Sequence, residues 1–268
     1  MKVKAAIHRA TNHPLSIEEV DIASPGPEEV LVKTIACGVC HSDLHALNGA
    51  IPSNLPAILG HEPAGIVIEI GDRVRNVAPG DHVIACTSMY CGNCSQCIQG
   101  RPYLCIDREA CLRGEGEPPR VTQNGKIIHQ FADLGGFAEA MLVHNRAVVK
   151  IDKDIPFDRA ALVGCAVTTG VGAALNTAKV TPGSSVVVFG AGGVGISVIQ
   201  GAKIAGARQI IAVDILDDKL KIAEKFGATE TINSNKQDPV KTIKKMTSGG
   251  AEFAFEVVGM QKLLQQAF

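Results

Sequence analysis

The amino-acid sequence predicts an α/β protein, in which a mostly-β N-terminal domain precedes a doubly wound parallel sheet. In the first half, short apolar and β-branched segments are separated by turns rich in Gly, Pro and Asp. After about Pro156, strand-like and helix-like segments alternate, and the first of these strands leads directly into a glycine-rich turn. We therefore expect one domain over residues 1–157 and a second over residues 158–268.

The individual elements follow from local composition. Strands of the first domain are predicted at residues 30–36, 65–70, 82–85 and 147–151. Strands of the second domain are predicted at residues 185–189, 209–213, 229–232 and 253–258. Helices are predicted between them at residues 194–205, 217–226 and 239–246, with Asp217 as a possible N-cap. This alternation predicts right-handed crossovers.

Charge and cysteine content exclude several classes of protein. The 268 residues include 26 Lys and Arg against 27 Asp and Glu, so the chain is nearly neutral. No basic stripe or basic amphipathic face indicates a nucleic-acid or membrane partner. The N-terminus lacks the apolar segment of a signal peptide. Nine cysteines in such a chain indicate metal ligands or catalytic groups, and we expect a cytoplasmic protein.

Two charge-free stretches, residues 160–178 and 180–202, raise the alternative of a transmembrane hairpin. The second stretch contains a proline and six glycines, and the first is rich in Thr and Gly. Buried elements of a soluble domain explain both stretches better.

The glycine-rich turn predicts a dinucleotide site. The pattern G-x-G-x-x-G follows a strand and opens a helix, which is the context that it requires, and it comprises Gly190, Gly192, Gly193, Val194 and Gly195. The helix N-terminus would present free N–H groups to a pyrophosphate. An acid at the end of the next strand, Asp214, would bond the adenosine ribose and repel a 2′-phosphate, which favours NAD. The alternative is that Asp214 only begins a turn.

Four cysteines predict a closed metal site. Cys91, Cys94, Cys97 and Cys105 are spaced C-x2-C-x2-C-x7-C, and four thiolates complete a tetrahedral zinc shell without an open position. Such a site holds a loop and does no chemistry. An iron–sulfur cluster is the alternative, but the ferredoxin pattern continues with x3-C-P, which is absent here.

The other candidate ligands are dispersed. Cys37 and Cys40 form a C-x2-C pair, His61 and Glu62 are adjacent, and Cys165 is isolated. A lone cysteine is usually a small buried apolar residue. Spacing alone cannot bring these residues together.

These segments resemble the medium-chain zinc alcohol dehydrogenases. The resemblance covers Gly-Val-Cys-His-Ser-Asp (38–43), Gly-His-Glu (60–62), the four-cysteine loop, Gly-Cys-x-x-Thr-Thr-Gly (164–170) and the glycine turn, all in family order. It implies a GroES-like domain followed by a Rossmann domain. It further implies that Cys40, His61 and Cys165 hold a catalytic zinc, that Cys37 is a nearby non-ligand, and that the four-cysteine site holds a structural zinc.

The resemblance also implies a proton relay. Ser42 would accept the proton of the alcohol, and His45 would pass it to solvent through the cofactor ribose. Asp43 and Glu62 would orient His61 and tune the metal. The alternative for Ser42, Asp43 and His45 is a polar loop that caps a helix.

Further positions follow from the same resemblance. Thr169 would contact the nicotinamide, Lys219 the adenosine ribose, and His41 the pyrophosphate. Thr87 and Phe131 would line the substrate pocket.

The resulting expectation is an NAD-dependent alcohol dehydrogenase with two zinc ions, whose small-molecule substrate is a primary or secondary alcohol or an aldehyde. The alternatives are a catalytically inactive zinc- and nucleotide-binding protein and an S-(hydroxymethyl)glutathione dehydrogenase. The presence of His45 argues against the second of these. Relatives run further, so we expect a C-terminally incomplete sheet. We also expect a homodimer or homotetramer for the full-length relative, whose pairing strand is absent here.

Overall fold

The computed structural model describes residues 1–114 and 116–268, which divide into two separately packed units. In the described residues of the first unit, Met1–Cys165, there are eleven strands and three helices. The second unit is Ala166–Phe268. The domain boundary after residue 157 stays a prediction.

Two sheets form the first unit. Their strands are β1 (Lys2–His8), β2 (Ser16–Ile22), β3 (Glu29–Gly38), β4 (Ala57–Ile58), β5 (Glu62–Ile70), β6 (His82–Ala85), β7 (Val121–Gln123), β8 (Lys126–Ile127), β9 (His129–Gln130), β10 (Ala140–His144) and β11 (Val148–Lys150). One sheet has the order β8-β7-β2-β1-β4-β9 and the other has the order β10-β3-β5-β6-β11. Buried valines and leucines of alternating strand positions fill the core of this unit.

The pairing of β3 with β5 determines which residues meet at the end of β3 and the start of β5. The two strands are antiparallel and bring the end of β3 beside the start of β5, with Gly38 opposite Glu62. The helices of this unit are α1 (His41–Asn48), α2 (Ser95–Ile98) and α3 (Phe157–Leu162). Helix α3 packs its buried alanines against Ala64 and Ile84. The chain therefore enters α1 directly from the end of β3.

The second unit is a parallel sheet with helices. Its elements are α4 (Thr168–Gly172), β12 (Ser185–Phe189), α5 (Gly193–Ile204), β13 (Gln209–Asp214), α6 (Asp217–Phe226), β14 (Glu230–Asn233), α7 (Pro239–Met246), β15 (Phe253–Glu256) and α8 (Gln261–Ala267). The strand order is β14-β13-β12-β15 and every pairing is parallel. In order along the unit this is 3-2-1-4, the order of a doubly wound nucleotide-binding sheet. The predicted fold class is confirmed.

Charge-free segments of the chain form different structures. Residues 180–202 contain strand β12 and most of helix α5, so they form no membrane-spanning helix and the hairpin alternative is wrong. The run Phe157–Thr177 is helical and is long and apolar enough, by length and composition only, to cross a membrane. It includes two π-helical segments, Val163–Val167 and Ala173–Thr177.

Differences from the predicted elements have local causes. Composition did not indicate β1 and β2, because charged residues alternate with apolar ones along these solvent-facing strands. Asp217 is not the N-cap of α6; Leu216 takes that position, and no side chain caps the helix. Instead, the Asp217 carboxylate accepts a hydrogen bond of 2.7 Å from Asn233 and pairs with Lys236 at 2.7 Å. Tertiary partners thus replace the cap.

A buried ion cluster ties the start of β3 to the loop before β7. Glu29 is 5% exposed, and its carboxylate lies 2.6 Å from both the Arg113 and the Arg120 guanidinium groups. It also accepts a hydrogen bond from the Gly26 N–H at 2.8 Å. Burial favours the neutral acid, but the two arginines outweigh burial and lower the pKa of Glu29 below its ordinary value.

We expect Glu29→Gln to destabilise the protein by about 3 to 5 kcal/mol at pH 7, because two largely buried guanidinium groups lose their partner. The control is Glu19→Gln, which breaks an ion pair with Lys2 whose carboxylate is 60% exposed and should cost at most about 1 kcal/mol. Urea unfolding measures both changes.

The same cluster predicts a pH dependence. Because the folded pKa of Glu29 is lowered, its stabilisation is complete above the ordinary glutamate pKa of about 4.3 and is lost as the pH falls through the folded value. The stability gap between wild type and Glu29→Gln should therefore narrow below about pH 4. Equal stability of the two proteins at pH 7 would contradict the assignment.

Candidate functional site

A cluster of four possible metal ligands lies inside the first unit, and we call it the Cys40 cluster: Cys40, His61, Glu62 and Cys165. Cys40 immediately precedes α1, His61 immediately precedes β5, and Glu62 is the first residue of β5. Cys165 lies in the π-helical segment Val163–Val167, which follows α3. Their ligand atoms lie within 4.8 Å of one another.

The distances within the Cys40 cluster match a tetrahedral zinc site. The Sγ atoms of Cys40 and Cys165 are 3.9 Å apart, and the Cys165 Sγ atom is 3.6 Å from His61 Nε2. Around a tetrahedral zinc, with Zn–S near 2.3 Å and Zn–N near 2.05 Å, these separations would be about 3.8 Å and about 3.6 Å. The three side chains could therefore hold one zinc ion, and their donor set is one that zinc prefers.

Asp43 orients this cluster from within α1. Its Oδ1 atom lies 3.1 Å from His61 Nδ1 and accepts the Gly60 N–H at 3.0 Å. Its Oδ2 atom accepts the Cys40 N–H at 3.0 Å. Because a carboxylate only accepts, Nδ1 of His61 carries the proton and the lone pair of Nε2 is directed away from Asp43, on the side of the sulfur atoms. Asp43 is 3% exposed, so this arrangement is shielded from water.

The charges of the cluster are strongly coupled. Hydrogen bonds with Cys165 and His61 lower the pKa of Cys40 to about 3. The same contact with Cys40, together with burial, raises the pKa of Cys165. Burial alone would lower the pKa of His61, but hydrogen bonds with Asp43 and Cys40 outweigh it and raise that pKa to about 10. The shifts of the three groups therefore arise from their contacts with one another and with Asp43.

Glu62 is the fourth member, and its place depends on a glycine. A Cβ atom added at Gly38 would lie 2.0 Å from Glu62 Oε2, so only glycine leaves room for this carboxylate. Burial raises the pKa of Glu62. Cys37 lies nearby, and burial raises its pKa to about 12, so it stays a protonated thiol. Gly38 lies inside the C-x2-C pair, but sequence reasoning gave it no role of its own, because its contact with Glu62 is made across two strands.

The second group of possible ligands is the four-cysteine cluster of Cys91, Cys94, Cys97 and Cys105. Helix α2 carries Cys97 and follows Cys94 directly, while a 3-10 turn leads into Cys105. The Sγ separations are 3.4 Å for Cys94–Cys97, 4.0 Å for Cys91–Cys97 and 3.9 Å for Cys94–Cys105. These values bracket the edge of about 3.8 Å for a tetrahedral zinc–tetrathiolate.

Backbone N–H groups favour thiolates in the four-cysteine cluster. The Cys94 N–H donates to Cys91 Sγ at 3.2 Å, and the Cys91 N–H donates to Cys105 Sγ at 3.2 Å. Backbone hydrogen bonds, first that of Cys97, lower the pKa of Cys94 to about 6. Burial raises the pKa of Cys97 to about 12. A divalent cation would compensate the remaining thiolate repulsion.

Arg146 supports the same loop, and sequence reasoning did not identify it. Its Nη1 atom donates to the Tyr90 carbonyl at 3.0 Å and to the Cys91 carbonyl, and its guanidinium lies 5.5 Å from the centre of the Tyr90 ring. A Cβ atom at Gly92, where φ is +80°, would lie 2.6 Å from this guanidinium. A positive side chain is therefore packed against a loop that carries several thiol groups.

The predicted relay residues lie on α1. Ser42 lies two residues after Cys40, and its backbone and side chain both contribute to lowering the pKa of the Cys40 thiol. The rings of His41 and His45 contact each other edge to face, with centroids 4.5 Å apart. His41 is exposed and His45 is half-buried. Phe131, which was predicted to line the substrate pocket, has its ring 5.8 Å from that of His61. The carbonyl of Thr87, the other residue predicted for the pocket, accepts a hydrogen bond from Arg108 at 2.7 Å.

The glycine turn lies between β12 and α5 in the second unit. Gly190 has φ +102°, and a Cβ atom at Gly195 would lie 1.8 Å from the Gly190 carbonyl oxygen, so this helix–turn approach requires glycine. A Cβ atom at Gly192 would meet nothing within 4 Å. Helix α5 begins directly after Gly192, so the N–H groups of Gly193 and Val194 lie in its first turn, where they have no partner within the helix. This geometry fits a pyrophosphate.

Asp214 ends β13 and contacts the glycine turn. Its Oδ2 atom accepts the Ala191 N–H at 2.8 Å, and its Oδ1 atom accepts the N–H groups of Ile215 and Leu216 at 2.8 and 3.0 Å. The turn alternative and a ribose-binding role are compatible, because a carboxylate has about four acceptor positions. Lys219 and Thr169 are exposed, on α6 and α4 respectively.

Comparisons with known proteins agree with this geometry. The profile described as "Alcohol dehydrogenase GroES-like domain" matches residues 26–153, and the profile described as "Zinc-binding dehydrogenase" matches residues 193–268. The chain is 39% identical to benzyl alcohol dehydrogenase from Acinetobacter calcoaceticus, with a TM-score of 0.91. It is 38% identical to an alcohol dehydrogenase zinc-binding domain protein from Burkholderia ambifaria, with a TM-score of 0.93. All of this chain and 73% of each of those chains are covered.

A third solved structure bears on the cofactor. A protein from Sinorhizobium meliloti 1021, described as a zinc-binding dehydrogenase and bound to NADP, is 30% identical with a TM-score of 0.82. It is covered over 73% of its length by the whole of this chain.

Fold, thiol-rich clusters and glycine turn define a class, the zinc-binding oxidoreductases with a nucleotide-binding sheet. The chain belongs to the medium-chain zinc-dependent alcohol dehydrogenase family. The family resemblance expected from the sequence is confirmed.

A paired substitution tests the geometry of the glycine turn. Gly195→Ala places a methyl group against the Gly190 carbonyl and should destabilise the protein by about 1 to 3 kcal/mol. Gly192→Ala meets open space and has an ordinary φ of −83°, so its cost should stay under about 1 kcal/mol. Thermal unfolding of both variants measures this difference, and equal destabilisation would contradict the described turn.

Proposed function

We propose that the chain is a cytoplasmic NAD-dependent dehydrogenase that interconverts an alcohol and its aldehyde or ketone and holds two zinc ions. The observation that carries this proposal is the convergence of Cys40, His61 and Cys165 at the separations of tetrahedral zinc ligands. Family membership supports oxidoreductase chemistry on alcohols.

Cys40, His61 and Cys165 would hold the catalytic zinc. Two thiolates and one neutral imidazole cancel the charge of Zn²⁺ and leave one coordination position open for substrate. When bound, zinc acts as a Lewis acid that makes an alcohol hydroxyl a stronger acid, while NAD supplies the hydride acceptor. Asp43 keeps the proton of His61 on Nδ1, so that Nε2 stays available as a ligand.

The proton of the alcohol needs an acceptor on the protein. We assign this role to the Ser42 hydroxyl, because Ser42 lies in the first turn of α1, two residues after the proposed ligand Cys40. His45, one helical turn further along α1, would carry the proton towards solvent. Its half-buried ring suits a group that connects the interior with water.

The four-cysteine cluster would hold the second zinc as a structural ion. Four sulfur ligands leave no position for substrate, so this ion would fix the loop without taking part in the reaction. The zinc–tetrathiolate carries two negative charges beyond those that zinc neutralises, and Arg146 lies where it would offset part of them.

The glycine turn and Asp214 would bind NAD. The open space at Gly192 and the N-terminus of α5 suit the pyrophosphate, and the Asp214 carboxylate would repel a 2′-phosphate. Thr169 and Lys219 are the further positions that we assign to the nicotinamide and the adenosine ribose.

An aromatic primary alcohol is the substrate class that we favour. The chain is 39% identical to a benzyl alcohol dehydrogenase, and the Phe131 ring lies edge-on to His61, where an aromatic substrate could contact it. Reduction of NAD with benzyl alcohol, compared with ethanol and S-(hydroxymethyl)glutathione, tests this proposal. Binding of NADH without turnover of any of them would instead identify a zinc- and nucleotide-binding protein.

Replacement of one ligand tests the metal assignment. Cys40→Ser should lose one of two zinc ions per chain and lower turnover more than about 100-fold. Losing a residue that only hydrogen-bonds to a metal ligand costs up to about 100-fold, and loss of the ligand itself should cost more. Cys86→Ser, at a half-buried cysteine outside both clusters, is the matched control and should keep both ions. Elemental analysis provides the count. Two zinc ions in Cys40→Ser would refute the ligand set.

A second substitution tests cofactor choice. Asp214→Asn removes the negative charge and should reduce the preference of kcat/KM for NAD over NADP by roughly tenfold, or ~1.4 kcal/mol. Asp218→Asn removes an exposed carboxylate from the first turn of the following helix α6 and should leave the ratio unchanged. If both variants keep the wild-type ratio, Asp214 serves only the backbone.

A further inference from the structure

The carboxyl end of β15 lies at the position in the second unit where a doubly wound sheet binds its ligand. Strand β15 pairs with β12, the strand that leads into the glycine turn, and Glu256 is opposite Phe189. The pairing extends one residue further, because the Val257 N–H donates to the Phe189 carbonyl at 3.1 Å. Strand order reverses between these two strands, and ligands of such sheets bind outside the strand ends at this point.

Glu256 closes the turn that follows β15, residues 257–259, which we call the switch-point turn. Its Oε1 atom accepts the N–H groups of Val258 and Gly259 at 2.8 and 2.9 Å. Its Oε2 atom lies 3.2 Å from the Gly259 N–H. One carboxylate therefore fixes two consecutive peptide groups, in a turn where Gly259 has φ +86°.

The switch-point turn packs directly on the glycine turn. A Cβ atom at Gly190 would lie 2.5 Å from Val258 Cγ2 and 3.3 Å from Val257 Cγ2. A Cβ atom at Gly195 would also lie 3.3 Å from Val257 Cγ2. The two valines of one turn thus fill the space that the two glycines of the other leave open. A change in the switch-point turn would alter the backbone that faces the pyrophosphate.

We propose that Glu256 is a positioning residue for the dinucleotide site, acting through the switch-point turn and not by contact with the cofactor. This inference rests on the proposed nucleotide binding. A preformed turn lowers the ordering cost of binding, so losing the carboxylate should weaken nucleotide affinity more than it weakens the fold.

A matched control, Glu252, lies at the opposite end of strand β15. Glu252 immediately precedes β15, and its Oε2 atom accepts the Ser185 N–H at 2.7 Å and lies 3.1 Å from the Ser185 hydroxyl. This carboxylate also makes two hydrogen bonds, but at the amino end of the sheet, away from the glycine turn. A purely structural effect should be similar for the two glutamates.

The experiment measures the Kd of NADH by nicotinamide fluorescence, with thermal unfolding alongside, for the full chain. Glu256→Leu should weaken NADH binding by about tenfold or more, since two acceptor bonds are lost. Glu256→Gln keeps an acceptor oxygen and should stay within about threefold of wild type, because acceptance and not charge is required. Glu252→Leu should lower the unfolding temperature to a similar extent while leaving Kd unchanged.

Several outcomes would overturn the assignment. An unchanged Kd in a folded Glu256→Leu variant, or a Kd raised equally in Glu252→Leu, would reduce Glu256 to a structural role. If Glu256→Leu fails to fold, Glu256→Asp replaces it, because the shorter side chain cannot reach both N–H groups, and an unchanged Kd there has the same meaning. Failure of the wild-type chain to bind NADH would overturn the proposed nucleotide function and this inference with it.

Discussion

Three hydrogen bonds of one buried carboxylate hold the Cys40 cluster together. Asp43 accepts hydrogen bonds from the ring N–H of His61, the N–H of Gly60 and the N–H of Cys40, and so links the start of β5 to the start of α1. These elements are neighbours because β3 and β5 pair and the chain passes from β3 into α1. A hydrophobic replacement would fill the space but leave the imidazole free to present either nitrogen. The orientation of the cluster therefore follows from a polar contact that the sheet makes possible.

In the second unit, too, a carboxylate fixes backbone groups, here those of the glycine turn. The glycine turn lies at the carboxyl end of β12. The close backbone approach between Gly190 and Gly195 sets the shape of this turn. The Asp214 carboxylate fixes one side of the glycine turn, while the valines of the switch-point turn fill the other side. Buried or half-buried carboxylates thus fix backbone N–H groups in both units, and in the first unit Asp43 also orients the His61 ring. In each unit the carboxylate lies at the end of an element.

Sequence reasoning predicted some of these features and not others, for physical reasons. The four cysteines lie within one loop, so their spacing already constrained them to a single site. The glycine turn was identifiable because it requires a strand before it and a helix after it. By contrast, Cys40, His61 and Cys165 are distant in sequence, and only the resemblance to a family joined them. Arg146, Gly38 and Glu256 depend on contacts across loops and strands, which no local pattern encodes. The cap predicted for Asp217 failed because Asn233 and Lys236 compete for its carboxylate.

The central claim is that Cys40, His61 and Cys165 hold one zinc ion with an open position. Anomalous diffraction at the zinc absorption edge, on crystals of the purified protein, tests it most directly. We expect two peaks, one inside the four-cysteine cluster and one at about 2.3 Å from both sulfur atoms and about 2.0–2.1 Å from His61 Nε2. A peak at the four cysteines together with none at the Cys40 cluster would contradict the claim.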